Sequence, residues 1–130
     1  MKRFVNFSNH PSANWSKEQI EAAEKYGEIC DYPFPSISAT ADEEEIAALA
    51  DITAEKILAM NPEAVMCQGE FTLTYAVICR LVRHDVPVLA ACSERQTVTT
   101  VNAKHETVRQ SVFSFVQFRS YGMENDGEKS

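Results

Sequence analysis

The sequence predicts an α/β domain: a mostly parallel sheet with helices on both faces, completed by a C-terminal antiparallel strand pair. Strand-like and helix-like stretches alternate along the first 92 residues. Two of the strand-like runs, Ala64-Val65-Met66-Cys67 and Val86-Pro87-Val88-Leu89-Ala90-Ala91-Cys92, are apolar almost throughout, as in strands covered on both faces. From Gln96 onward the pattern becomes apolar-polar alternation over residues 96–101 and 111–118, the mark of strands with one face in solvent or half covered. A chain of 130 residues has material for one domain, read here as residues 1–121 followed by a disordered acidic tail, 122–130.

Arg3-Phe4-Val5-Asn6-Phe7 begins the first strand, which the loop Ser8-Asn9-His10-Pro11-Ser12-Ala13-Asn14 ends. Ser16 and Gln19 then stand at capping-box spacing, with Trp15 and Ile20 placed to staple across the cap, and Gly27 closes the helix. Residues 28–32 form a short second strand stopped by Pro33 and Pro35. Asp42 caps a second helix running to Met60, with Glu43, Glu44 and Glu45 favourably placed in its positive first turn. Asn61-Pro62 breaks it, and the third strand ends in Gln68-Gly69-Glu70. A third helix runs from Phe71 or Thr72 to about His84. Its Leu73, Ala76, Val77, Ile78, Leu81 and Val82 leave only a narrow polar edge, so it is deeply buried or lies in a subunit interface. The fourth strand, 86–92, ends in Ser93-Glu94-Arg95. This order implies right-handed crossovers and a Rossmann-like sheet, whose ligands gather at the carboxyl ends of the strands.

Composition narrows the functions open to such a domain. Net charge is −7, which disfavours a protein that grips long nucleic acid by its phosphates. The charge is uneven, however: residues 1–65 carry a net −7, residues 66–121 a net +2 and residues 122–130 a net −2. The C-terminal half can therefore host a compact anion. No apolar run reaches the roughly 20 residues a membrane helix needs, and no signal-peptide core follows Met1, so a soluble cytoplasmic protein without membrane contact is expected. Cys30, Cys67, Cys79 and Cys92 form no C-x-x-C pair, and His10, His84 and His105 are scattered. Buried thiols in a reducing compartment are expected, with neither a metal site nor a cofactor.

Three loops reach the carboxyl edge with chemically able residues. In the first, Ser8, Asn9, His10 and Ser12 either build turns or cradle a phosphate or ribose, with His10 able to move a proton. In the second, Gly69 lets backbone N–H groups approach an anion, and Thr72 either caps the third helix or donates to phosphate. Glu70, which would repel an anion, caps the helix, contacts a ribose hydroxyl or adenine amine, or acts as base or nucleophile. In the third, Ser93 leads to Arg95, whose planar fork matches phosphate oxygens or pairs with an acid such as Glu94. Lys104, His105 and Arg109 read as a solvated hairpin tip that could fold over the pocket. Arg80-Leu-Val-Arg83-His84 has the residue types, but not the spacing, of a known ribonuclease motif, and suits the negative end of a helix dipole. Gly-x-Gly-x-x-Gly and the phosphate-loop lysine are absent.

Together, Asn6-Phe7-Ser8-Asn9-His10-Pro11-Ser12, Gly69-Glu70-Phe71-Thr72 and Ser93-Glu94-Arg95 in a domain of this size resemble the small stand-alone CRISPR-associated Rossmann-fold (CARF-like) proteins of ring-nuclease type. The resemblance spans residues 2–121 in element order. It implies a homodimer that binds cyclic oligoadenylate across its two-fold axis and cuts it without metal, a ribose 2′-hydroxyl attacking the adjacent phosphate to leave a 2′,3′-cyclic phosphate. On this view His10, Arg95 and Ser8 are catalytic, and Asn9, Ser12, Gly69, Glu70, Thr72 and Ser93 bind the ligand. Glu70 departs from the neutral residue common in such domains, and no effector domain is appended. Two other readings stay open: an N-glycosidase or deoxyribosyltransferase with Glu70 as nucleophile, and a nucleotide-sensing module that binds without turnover.

Overall fold

The computed structural model describes residues 2–122. Its elements are β1 (Arg3–Ser8), a 3-10 turn (Ser12–Asn14), α1 (Lys17–Glu24), β2 (Glu28–Asp31), α2 (Glu43–Ala59), β3 (Pro62–Gln68), α3 (Phe71–Val82), β4 (Val88–Val101) and β5 (Thr107–Ser120). They form one five-stranded sheet in the order β2-β1-β3-β4-β5, parallel except for the antiparallel β4–β5 pair. The expected acidic tail lies, beyond Gly122, outside the described residues. No helix among the described residues is long and apolar enough to cross a membrane.

The two central strands are buried on both faces, which explains their apolar runs. On one face α2 and α3 cover Val5, Phe7, Val65, Cys67 and Val88. On the other, α1 supplies Ala23, and Trp15, Tyr26 and Phe118 pack around Phe4. The chain leaves β1 in one direction, to β2, and the next crossover carries it past β1 to β3. The carboxyl ends of β1 and β3 therefore flank the topological switch point.

Capping largely follows sequence logic. Asp42 and Glu45 make a full reciprocal capping box on α2. On α1 only half of one forms: Ser16 Oγ accepts from the Gln19 N–H, while the Gln19 amide turns away to Met66 Sδ at 3.7 Å. Gly27 lies in the turn before β2, where a Cβ would come within 2.6 Å of the Lys2 carbonyl.

One expectation is narrowed and one corrected. Helix α3 ends at Val82 and buries only one side, through Leu73, Thr74, Val77 and Leu81, so of its two expected placements deep burial is excluded and a subunit interface stays open. Phe71 and Tyr75 stand 89% and 71% exposed. Ser93-Glu94-Arg95 is not a loop. Strand β4 runs on to Val101, paired with β5 along its length across a bulge at Cys92/Ser93, so a strand end and a separate later strand merge into one 14-residue strand. No Gly or Pro interrupts it, and the turn comes at Asn102, whose Oδ1 accepts from the N–H groups of Lys104 and Glu106. Strand β4 pairs with β3 only at Val65↔Val88 and Met66↔Leu89. Residues 93–101 and 107–115 therefore project past the carboxyl edge as a two-stranded arm, about 30 Å long at ~3.3 Å per residue.

Candidate functional site

At the switch point a cleft of about 1050 Å³ opens between the β1–α1 loop, the tips of β1 and β3, and the root of the arm. Its wall is formed by Asn9, His10, Pro11, Trp15 and Gln19 on one side and by Ala91, Ser93, Phe113 and Phe115 on the other, with Met66 and Gln68 at its base. This is the sheet face that α1 covers only in part, so the half-exposed floor follows from the topology. The volume is at the upper end for small-molecule sites.

A buried polar network fixes the first loop. Asn6, 1% exposed in the middle of β1, donates from Nδ2 to the His10 carbonyl at 2.9 Å and to Asp31 Oδ1 at 3.0 Å. Ser8 Oγ donates to Asn6 Oδ1 at 2.6 Å and accepts from the His10 N–H at 3.1 Å. Asp31 Oδ2 accepts from the Ser12 N–H, and the Trp15 indole N–H donates to the His10 carbonyl at 3.0 Å. The backbone of His10 is thus held from three sides while its imidazole is left exposed beside the cleft. Gln68 links the opposite wall, its Oε1 accepting from the Ala91 N–H where the β3–β4 ladder ends.

Of the residues singled out from sequence, Asn9, His10 and Ser93 line the cleft. Ser8 is buried and committed to Asn6, and Ser12 acts through its backbone N–H. The Gly69 turn stands apart from the cleft lining, and its components have other partners. A Cβ on Gly69 would meet the Phe34 ring at 2.5 Å, so the glycine admits an aromatic side chain where an anion had been expected. Glu70 caps α3, with Oε1 accepting from the Leu73 N–H at 2.8 Å and from Thr72 Oγ1, which also reaches Oε2. These bonds, the Leu73 amide foremost, hold its carboxyl below the ordinary glutamate range. Arg95 lies on the arm, two residues beyond Ser93 on the same face, and its guanidinium donates to Ser111 Oγ at 3.0 and 3.2 Å.

Sequence reasoning missed Asn6, Asp31, Gln68, Trp15, Phe113 and Phe115. Asn6 had a legible signal, a lone amide inside an apolar strand, where burial without a hydrogen-bond partner is costly. Phe113 and Phe115 had none, because their place depends on the long β4–β5 pairing. Among the described residues no three His, Cys, Asp or Glu side chains gather around a point that could hold a metal ion. In chemical terms the cleft offers aromatic faces for a planar ring, neutral donors and acceptors for its edges, one imidazole for proton exchange, and one carboxylate, Glu18, that can accept from an amine or hydroxyl and would repel a phosphate placed beside it.

No curated protein and no solved structure matches the chain. A family model, described as the Uncharacterized protein MJ1673 family, matches residues 2–119. Because that match runs from before β1 to within one residue of the end of β5, the chain belongs to the MJ1673 family.

Proposed function

We propose that the protein binds a cyclic oligoadenylate in the switch-point cleft. The observation that carries this reading is the composition of the cleft walls: Trp15, Phe113 and Phe115 offer stacking surface, while Asn9, Gln68 and Ser93 can meet the polar edges of a purine and its ribose. The position at the carboxyl ends of β1 and β3 is where doubly wound sheets hold nucleotides. In this reading His10 is the proton-transfer residue for cleavage, in which the 2′-oxygen bonds to phosphorus, the bond from phosphorus to the 5′-oxygen breaks, and the proton taken from the 2′-hydroxyl is returned to the departing 5′-oxygen. The committed hydrogen bonds of Ser8, and those of Arg95 to Ser111, make binding better supported than turnover. The glycosidase reading has less support, since Glu70 caps a helix away from the cleft.

Trp15 is the only tryptophan in the chain, so its fluorescence reports this site alone. Titration with cyclic tetra- and hexa-adenylate should change that emission saturably. Incubation with EDTA should yield a 2′,3′-cyclic phosphate end if the protein is a ring nuclease, and no product if it only senses. His10→Ala should bind but not cut. No fluorescence change and no product with either ring would refute the reading.

A further inference from the structure

The body and the arm carry opposite charge at the same edge of the sheet. Each of α1, α2 and α3 follows a parallel strand, so their N-termini meet at the carboxyl edge. There they bring Glu18, the Asp42–Glu45 capping run and Glu70, while Asp31 ends β2. The arm rises from this edge with Arg95, Lys104 and Arg109 against Glu94 and Glu106. Among the described residues the ion pairs are Lys17–Glu21 and Arg80–Asp51, so the arm cations are not spent on the body below them.

The arm also lacks cover. Phe113, Val101 and Val112 are 69%, 65% and 43% exposed, although a two-stranded ribbon is marginally stable in water without a packed face. Its outer strand, β5, is a 14-residue sheet edge with no Pro and no Lys to deter pairing. The ladder bends at the Cys92/Ser93 bulge, and its root reaches the chain's own cleft through Phe113 and Phe115, while residues 96–101 and 109–112 beyond that root stay exposed.

We infer that the arm is a clasp for a second copy of this chain: in a two-fold dimer each arm lies across the partner's acidic carboxyl edge and brings Arg95 and Arg109 beside the partner's cleft. A two-fold axis suits the arrangement because one surface pair, basic arm on acidic edge, forms twice. It also supplies what the cleft wall lacks, since no Lys or Arg is among its lining side chains. The role of those arginines toward phosphate rests on the nucleotide reading above; the dimer does not.

Charge swapping tests the contact on the full chain by sedimentation. Native protein should run at twice the chain mass at low salt and dissociate as salt rises. Arg95→Glu with Arg109→Glu should weaken self-association at least tenfold, and Glu43→Lys with Glu44→Lys should do the same, both with native circular dichroism. Mixed together, the two variants should recover dimers, because each contact then joins opposite charges. A monomeric native chain, an unaffected arm variant, or a mixture that stays monomeric would overturn the clasp. Dimer loss on Tyr75→Glu with the arm variant still dimeric would assign the interface to α3 and also overturn it. Dimers that obey the swap but leave Trp15 emission unchanged by either ring sustain the clasp and remove the nucleotide reading.

Discussion

Gly69→Ala separates two accounts of the β3–α3 turn. If the glycine lets backbone N–H groups approach an anion, alanine should impair binding and leave stability alone. The structure expects the reverse. The added methyl would lie 2.5 to 2.6 Å from three atoms of the Phe34 ring, about 1 Å inside ordinary van der Waals contact. That ring is 8% exposed and stacks on Phe7 with centroids 4.6 Å apart, so retreat disturbs the α2–α3 core. Overpacking of this kind costs about 1–3 kcal/mol. Urea unfolding should show the midpoint falling with an unchanged slope. Phe34→Leu, which costs stability alone, should make room for the methyl, so the double variant should be more stable than the summed losses predict by roughly 1 kcal/mol or more. Additive losses, or a Gly69→Ala protein as stable as the parent, would refute the packing account and return the glycine to the anion reading.

Other expectations follow from single contacts. Ser8→Ala leaves the buried Asn6 Oδ1 without its donor and should cost about 1–3 kcal/mol in a thermal melt, so activity lost on this substitution would reflect the scaffold. Glu70→Gln should lower the melting temperature at neutral pH. Because the folded carboxyl titrates below its unfolded value, the difference from the parent should be full above the ordinary glutamate pKa of about 4.3 and vanish as pH falls through the lower folded value. Burial pushes the Cys67 thiol up to about 12, so at pH 8 iodoacetamide should label Cys30, Cys79 and Cys92 well before Cys67, as peptide mass mapping would show.

The body of the fold was legible because local and tertiary signals agreed there. Val65, Met66 and Cys67 are apolar since they meet helices on one face and aromatic side chains on the other, and a strand buried twice has no freedom to alternate. Asp42 and Glu45 have one low-energy use, a helix start. Glu70 and Thr72 were ambiguous because the same oxygens serve a cap or a ligand. Only the placement of Leu73 and the closure of Gly69 by Phe34 decide that they serve the cap.

The arm was hidden for a different reason. Ser93-Glu94-Arg95 looks like a loop when polarity is taken to mean chain reversal, yet polar residues are equally natural in a strand that has left the sheet and faces water on both sides. What ends a strand is backbone chemistry, and the first residue suited to a turn is Asn102. Moving the turn nine residues outward changes the site as well as the fold. Arg95 moves from a loop to the root of a projecting ribbon, opposite Phe113, and Phe113 and Phe115 enter the cleft wall. The local question of where one strand stops therefore decides which side chains wall the cleft, and under the clasp proposed above it also decides which cations a second copy would bring to it.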